Sequence, residues 1–254
     1  MLLAIDAGNT QTVYGLWDGS KWLATWRRNT DGAETEDELG VWLRALFDLS
    51  GIPFQVDRVV AATVVPAIQA SLTRLCDKWL QAPLLLLERG DQVGLPVDYE
   101  PKNAVGPDRI ANAIGALQKF KPPIIVVDFG TATTFDVVDR NGVYAGGAIL
   151  PGIEVASAAL VGRTSRLPRF DLKAPEHAIG KNTVESLQSG MMLGYAGAID
   201  SLASRIDQEL GGGSTIVSTG GLGAVFVDLC EKIGSYDKTL TLDGLIVAAQ
   251  RLSG

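Results

Sequence analysis

Asp6 closes a short apolar run, Leu2-Leu3-Ala4-Ile5, and is followed by Gly8, Asn9, Thr10 and Thr12 before Val13 and Tyr14 resume the apolar signal. This is the pattern of two strands joined by a tight turn of small residues. Gly8 removes a side chain where backbone must come close to something. Asn9, Thr10 and Thr12 add amide and hydroxyl groups, and neighbouring backbone N–H groups in such a turn form an anion-binding nest. Asp6 puts a carboxylate at the strand end, where a divalent cation carrying phosphates can be held. The chemistry on offer is phosphate binding; the plainer reading of a single copy is an ordinary hairpin.

A second copy lies at Ile124–Val138. With Asp128 set on Asp6, Gly130 falls on Gly8, Thr134 on Thr12 and Phe135 on Val13. The repeat period is about half the chain, which means two similar domains facing each other rather than a solenoid. Two acidic, threonine-rich turns across a cleft suit a nucleotide polyphosphate with its metal. A duplicated strand pair without a ligand is the alternative. A third carboxylate, Asp108, follows Gly106-Pro107 and opens a helix, a first turn in which proline is well placed. Asp108 either complements the helix dipole or does chemistry, and its place at the helix start predicts that it stays ionised.

The surrounding elements follow from hydrophobic period and punctuation. Lys21–Arg27 alternates as a third antiparallel strand. Thr35 with Glu38 forms a capping box ahead of a helix whose apolar face is Leu39, Trp42, Leu43, Leu46 and Phe47. Arg58–Val65 is strand-like, Ile68, Leu72, Leu75 and Trp79 mark a helix, and Leu84–Leu87 is a short buried strand. The pattern lapses between Gly94 and Gly106, a loop that contains Tyr99, and loops often carry ligand contacts. Ile110, Ile114 and Leu117 form the face of the next helix. Lys121-Pro122-Pro123 breaks the chain, and the domain boundary is placed there, giving 1–121 and 122–254. In the second half, Val143–Leu150 continues the sheet, and Pro151-Gly152 turns into a helix through Val155 to Leu160. Gly162–Pro175 is a loop whose Arg163, Arg166 and Arg169 are either anion contacts or solvated surface. Asn182 and Thr183 start a long helix to about Leu210. Its Gly190, Gly194 and Gly197 each cost roughly 1 kcal/mol relative to alanine, which close backbone packing, within the domain or across a subunit contact, would explain. Ser214–Ser218 is a strand turning at Thr219-Gly220-Gly221 into a helix through Phe226 and Leu229, and Leu245–Leu252 is the last helix.

Composition sets bounds. The 254 residues are 46% hydrophobic and 20% charged, enough apolar residues for one large or two modest cores and too few charges for disorder. The net charge of −7, with no basic run, argues against nucleic acid or an anionic membrane as partner. Anionic substrates must then be drawn by a local positive site. Cys76 and Cys230 read as small buried core residues. His177 is the sole histidine, so neither a Ser/His/Asp triad nor a zinc site is indicated. No apolar run is long enough to span a membrane and no export segment is evident, so a cytoplasmic location is expected.

In order along the chain stand Asp6-x-Gly8-Asn9-Thr10, Gly106-Pro107-Asp108-Arg109, Asp128-Phe129-Gly130-Thr131-Ala132-Thr133, Gly146-Gly147-Ala148-Ile149-x-Pro151-Gly152 and Thr219-Gly220-Gly221. With them the chain resembles the superfamily of sugar kinases, heat-shock chaperones and actin, and within it the type III pantothenate kinases. The resemblance implies an α/β fold of two duplicated actin-like (ribonuclease H-like) domains, each a mixed sheet with flanking helices, and an active site in the interdomain cleft. It implies ATP-dependent phosphorylation of pantothenate, the first step of coenzyme A biosynthesis, with Asp108 as catalytic base. ATP contacts would come from Asp6, Ala7, Gly8, Asn9, Thr10, Gln11, Thr12, Val13 and Thr131. Pantothenate contacts would come from Tyr99, Gly106, Pro107, Asp108, Arg109 and Thr183. Mg²⁺ would be held by Asp6, directly or through water, and a monovalent cation, K⁺ or NH₄⁺, by Asp128. The family also implies a homodimer. Two other readings stay open, a non-catalytic regulatory homologue and a kinase of another small polyol.

Overall fold

Leu2–Ala7 (β1), Gln11–Trp17 (β2) and Trp22–Asn29 (β3) form an antiparallel meander. Arg58–Thr63 (β4) and Leu84–Leu87 (β5) then add parallel strands on the other side of β1, giving the order β3-β2-β1-β4-β5. Between them run Glu36–Leu49 (α1) and Pro66–Leu75 (α2), the latter prolonged by a single π-helical stretch, Cys76–Leu80. The computed structural model describes residues 1–253. It divides into two units, Met1–Gln118 with the chain from Leu240 onward, and Lys119–Thr239.

Each element of the first unit has a local cause. The capping box at α1 is reciprocal: Glu38 N–H donates to Thr35 Oγ1 at 3.3 Å, and Thr35 N–H donates to Glu38 Oε2 at 2.9 Å. Pro66 occupies the first turn of α2, where its missing N–H is not needed. Leu39, Leu43 and Phe47 of α1 and Ile68, Leu72 and Leu75 of α2 bury against Leu3, Ile5, Tyr14 and Leu16 of the sheet.

That covers one face only, while Val59, Val60, Ala61 and Ala62 of β4 are all buried. A parallel strand buried on both sides needs helices on both faces. Pro107–Lys119 (α3) and Leu240–Leu252 (α7) complete the unit, with α7 lying on β1, β4 and β5. The two helices approach so closely that a Cβ on Gly244 would collide with the carbonyl of Ala111, and one on Gly115 with that of Leu240. Trp22 Nε1 donates to Asp243 Oδ1 at 2.8 Å, tying β3 to α7. The division thus differs from the single cut at 121/122. Amphipathic period tells that α7 buries a face but not which sheet receives it, and the uncovered side of β1 and β4 is in the first unit. The helix also starts at Leu240, five residues before the Leu245 expected.

The second unit repeats the plan. Ile124–Phe129 (β6), Ala132–Val138 (β7) and Tyr144–Pro151 (β8) form the meander. Thr215–Gly220 (β9) and Ser235–Tyr236 (β10) add parallel strands, and the order is β8-β7-β6-β9-β10. Ile153–Gly162 (α4), Thr183–Glu209 (α5) and Gly223–Leu229 (α6) flank it. Ile125, Val127 and Phe135 meet Met192, Ala196, Ile199 and Phe226 in its core, where Phe129 stacks on Phe226 with centroids 4.8 Å apart. Both halves of the duplication read from sequence are therefore present.

Candidate active site

The first turn is set by strand register. Asp6 pairs with Val13 and Ala7 with Thr12, which leaves Gly8–Gln11 as a four-residue connection. It closes on itself through Gly8 N–H to Gln11 O at 3.1 Å. A Cβ on Gly8 would stand 3.2 Å from that same oxygen, which is why the position is best left bare. Asn9, Thr10 and Gln11 are exposed, while Thr12 is buried. Thr30, the residue after β3, holds the turn from the side: its N–H donates to Thr10 O at 2.9 Å, and its hydroxyl donates to Gly8 O at 2.7 Å. With that proton committed, Thr30 Oγ1 accepts from Thr12 Oγ1 at 2.9 Å.

In the second turn Asp128 pairs with Thr134 and Phe129 with Thr133. The connection is Gly130–Ala132, one residue shorter, closed by Gly130 N–H to Ala132 O at 3.0 Å. Register therefore matches Thr12 with Thr133, both buried, and Val13 with Thr134. This corrects the ungapped sequence alignment of Thr134 on Thr12. The deletion was not visible because a threonine stands at both positions. Thr131 is exposed, and its carbonyl accepts from Gly152 N–H at 3.0 Å.

Asp6 and Asp128 occupy matching penultimate positions of β1 and β6. Beside Asp128, in register with Thr219 of β9, Gly220 adopts φ +85°. A Cβ there would lie 2.5 Å from Asp128 Oδ1 and 2.6 Å from Phe129 O. A bare glycine thus leaves room beside a carboxylate oxygen and the Phe129 carbonyl, which also accepts from Gly221 N–H at 3.1 Å; both are hard oxygen donors of the kind a cation takes. Among the described residues no three His, Cys, Asp or Glu side chains gather as a metal site. A divalent ion would need further oxygen ligands, and phosphate oxygens are of that kind.

Asp108 lies in the first turn of α3, half-buried, with Arg109 buried beside it. Its Oδ1 accepts from Arg109 N–H at 2.9 Å. The carboxylate folds back over Gly106, where a Cβ would strike Oδ1. Burial raises its pKa above the ordinary carboxylate value, opposed in part by the Arg109 N–H and guanidinium. The sequence-based expectation of an unraised carboxylate is corrected here: a helix N-terminus favours the charge, but desolvation outweighs it. Because β1, β4 and β5 are parallel, Ala7 pairing with Thr63 and Ala62 with Leu87, their carboxyl ends share one edge of the sheet. A cavity of about 200 Å³ at that edge is lined by Thr63, Gln69, Leu86, Leu87, Glu88 and Pro107. The start of α3 therefore stands at the edge from which the first turn projects, the usual ligand edge of an open α/β sheet.

Tyr99, half-buried, belongs to the loop before α3, and Gly106–Arg109 follows in the same unit as the Asp6–Val13 turn. Asp128, Thr131 and Thr183 belong to the other unit. Thr183 is exposed at the first position of α5, next to Asn182, whose side chain accepts from Glu185 N–H at 3.0 Å. Arg163, Arg166 and Arg169 are exposed. Sequence reasoning missed Thr30 and Tyr195, whose hydroxyl reaches the second turn from α5 at 2.8 Å from Thr133 Oγ1. No local pattern marks a bracing hydroxyl.

The family model of type III pantothenate kinase matches residues 2–205. A type III pantothenate kinase of Myxococcus xanthus is 42% identical over 246 residues, covering 96% of each chain. One of Rhodospirillum rubrum is 41% identical over 253 residues, covering 99% of this chain and 98% of its own. Among solved structures, a putative Baf family transcriptional activator from Campylobacter jejuni superposes with a TM-score of 0.63 at 20% identity, covering 98% of this chain and 97% of its own. A putative 2-dehydro-3-deoxygalactonokinase from Sinorhizobium meliloti gives 0.56 at 13%, covering 98% and 96%. At those identities the two structures speak to the fold alone.

Proposed function

This chain belongs to the type III pantothenate kinase family, and from that premise we propose how its residues divide the reaction. The protein phosphorylates pantothenate with ATP, yielding 4'-phosphopantothenate, the first step of coenzyme A biosynthesis. Phosphoryl transfer asks mainly for positioning and charge neutralisation. The turns at Asp6–Val13 and Thr131 grip the nucleotide phosphates with backbone N–H groups. Thr12 contributes through its buried hydroxyl, engaged with Thr30, and not as a side-chain ligand. Asp6 would hold Mg²⁺ entering with ATP, directly or through water, and the ion would supply charge neutralisation. Asp128 would hold K⁺ or NH₄⁺, with the Phe129 carbonyl as a further oxygen donor.

Tyr99, Gly106, Pro107, Arg109 and Thr183 hold pantothenate, with Arg109 supplying fixed positive charge. The acceptor hydroxyl oxygen forms its bond to the γ-phosphorus as the bridging P–O bond breaks. ADP leaves with that electron pair, and Asp108 takes the hydroxyl proton. The observation that carries this assignment is the desolvated carboxylate of Asp108, braced by Arg109 N–H; a raised pKa makes it a better proton acceptor than a solvated carboxylate. Purified protein is expected to phosphorylate pantothenate with ATP, Mg²⁺ and K⁺, and Asp108→Asn to lose about 100-fold or more in kcat while still melting cooperatively. Full turnover by that variant would overturn the base; absence of pantothenate turnover by the wild type would overturn the whole reading.

The working unit in this reading is a homodimer. Cβ atoms placed on Gly190, Gly194 and Gly197 of α5 would meet nothing within 4 Å, so packing inside this chain does not account for those glycines. α4 beside it exposes Val155 and Leu160. Light scattering of the wild type should give twice the chain mass, and Gly194→Arg the monomer mass. A cytoplasmic location fits such an enzyme; among the described residues no helix is long and apolar enough to cross a membrane.

A further inference from the structure

The two turns are flanked by similar two-hydroxyl relays built from unrelated residues, the first ending on a carbonyl of the turn and the second on the carbonyl of Pro151 at the end of β8. In the first unit the buried Thr12 donates to Thr30 Oγ1, and Thr30 donates to the carbonyl of Gly8. In the second, Tyr195 OH lies 2.8 Å from both Thr133 Oγ1 and Pro151 O. A carbonyl only accepts, so the phenolic proton goes to Pro151 O and Thr133 donates to the phenol oxygen. Thr12 and Thr133 are the register-equivalent residues. The backbone pins also match: the residue after the third strand, Thr30 or Gly152, donates its N–H to the turn carbonyl of Thr10 or Thr131.

Gly152 therefore stands where Thr30 stands, yet it has no hydroxyl. It cannot gain a side chain, because a Cβ would run into the carbonyls of Gly130 and Thr131. The missing hydroxyl arrives from α5 instead. We propose that Thr30 and Tyr195 are positioning residues for the nucleotide: Thr30 holds the turn carbonyls of Gly8 and Thr10 directly, and Tyr195 ties Thr133, just after the second turn, to Pro151, next to the Gly152 N–H that holds the turn carbonyl of Thr131, so that each turn keeps its N–H groups presented to phosphate. The phenol is suited to this because burial raises its pKa above the ordinary tyrosine value, so its proton stays in place throughout the working pH range.

The inference rests on the assignment of these turns to ATP, and its test separates the two. Thr30→Val removes both hydroxyl bonds at nearly constant volume, Thr30→Ser keeps them, and Tyr195→Phe removes the second brace. Kinetics are measured with ATP and pantothenate varied separately, alongside calorimetric titration of a non-hydrolysable ATP analogue with Mg²⁺. Loss of a buried hydrogen bond should cost about 5- to 150-fold in affinity. KM for ATP and the analogue Kd should rise within that range in Thr30→Val and Tyr195→Phe. KM for pantothenate should stay within about twofold, and Thr30→Ser should return to near wild type. Equal rises in both KM values, unchanged nucleotide affinity, or failure of serine to rescue would overturn the proposal. If Thr30→Val does not fold, Thr30→Ala, which also removes the hydroxyl, and Tyr195→Phe decide the question by the same readings. A wild type that binds the analogue but does not phosphorylate pantothenate would defeat the kinase reading while leaving the bracing arm intact.

Discussion

Asp108 sets two requirements against each other. As the proposed base it must be ionised to accept a proton, so kcat/KM should fall as pH drops through its raised pKa, and the acid limb of the profile should lie above about 3.9, the ordinary aspartate value. For stability the sign is reversed. The folded protein favours the protonated form, so the contribution of this residue is present below the unfolded-state pKa and lost as pH rises through the folded-state pKa. At neutral pH Asp108→Asn is expected to melt at or above the wild-type Tm while inactive, which differential scanning calorimetry checks. Gly106→Ala probes the same carboxylate from below. The new methyl would strike Asp108 Oδ1, a side-chain atom able to swing away. We expect a small change in Tm but a fall in kcat of about 10- to 100-fold, since misplacement near 1 Å costs about that much.

Hairpins are the elements on which the site depends, and they were the most legible part of the sequence. Asp-x-Gly followed by threonine between apolar runs identified both, as the Thr35–Glu38 spacing identified the start of α1. The one-residue difference between the turns was hidden, because consecutive threonines at 133 and 134 satisfied either alignment. Burial of Asp108 was hidden as well: helix-end chemistry is written locally, whereas desolvation depends on what the fold stacks around the residue. The glycines of α5 were legible as a packing signal, but their open surroundings appear only in three dimensions. Gly220→Ala tests the second unit at this scale. The position needs φ +85° and closeness to Asp128 Oδ1, so alanine should cost about 1–3 kcal/mol by backbone strain; on the proposed K⁺ site at Asp128, activity should also require more K⁺ to reach its maximum, measured by titrating the salt.

At the level of the whole molecule, the duplication is exact in strand order and unequal in what finishes each half. The first sheet is closed only when α7 returns from the far end of the chain, bringing Leu240, Leu245, Ala248 and Ala249 into its core. A chain ending at Thr239 should therefore lose the cooperative melting of the first unit, read by hydrogen exchange at β1 and β4. Gly244→Ala forces a methyl onto the Ala111 carbonyl and should destabilise by about 1–3 kcal/mol.

The braces of the two turns also differ in reach. Thr12 and Thr30 are 18 residues apart, Thr133 and Tyr195 are 62. Closing the longer span costs about 1 kcal/mol more in chain entropy. One brace can thus be assembled from a single stretch of freshly made chain, while its counterpart must wait until α5 has been synthesised and docked. A nascent polypeptide would carry a finished first hairpin well before the second had its tyrosine in place.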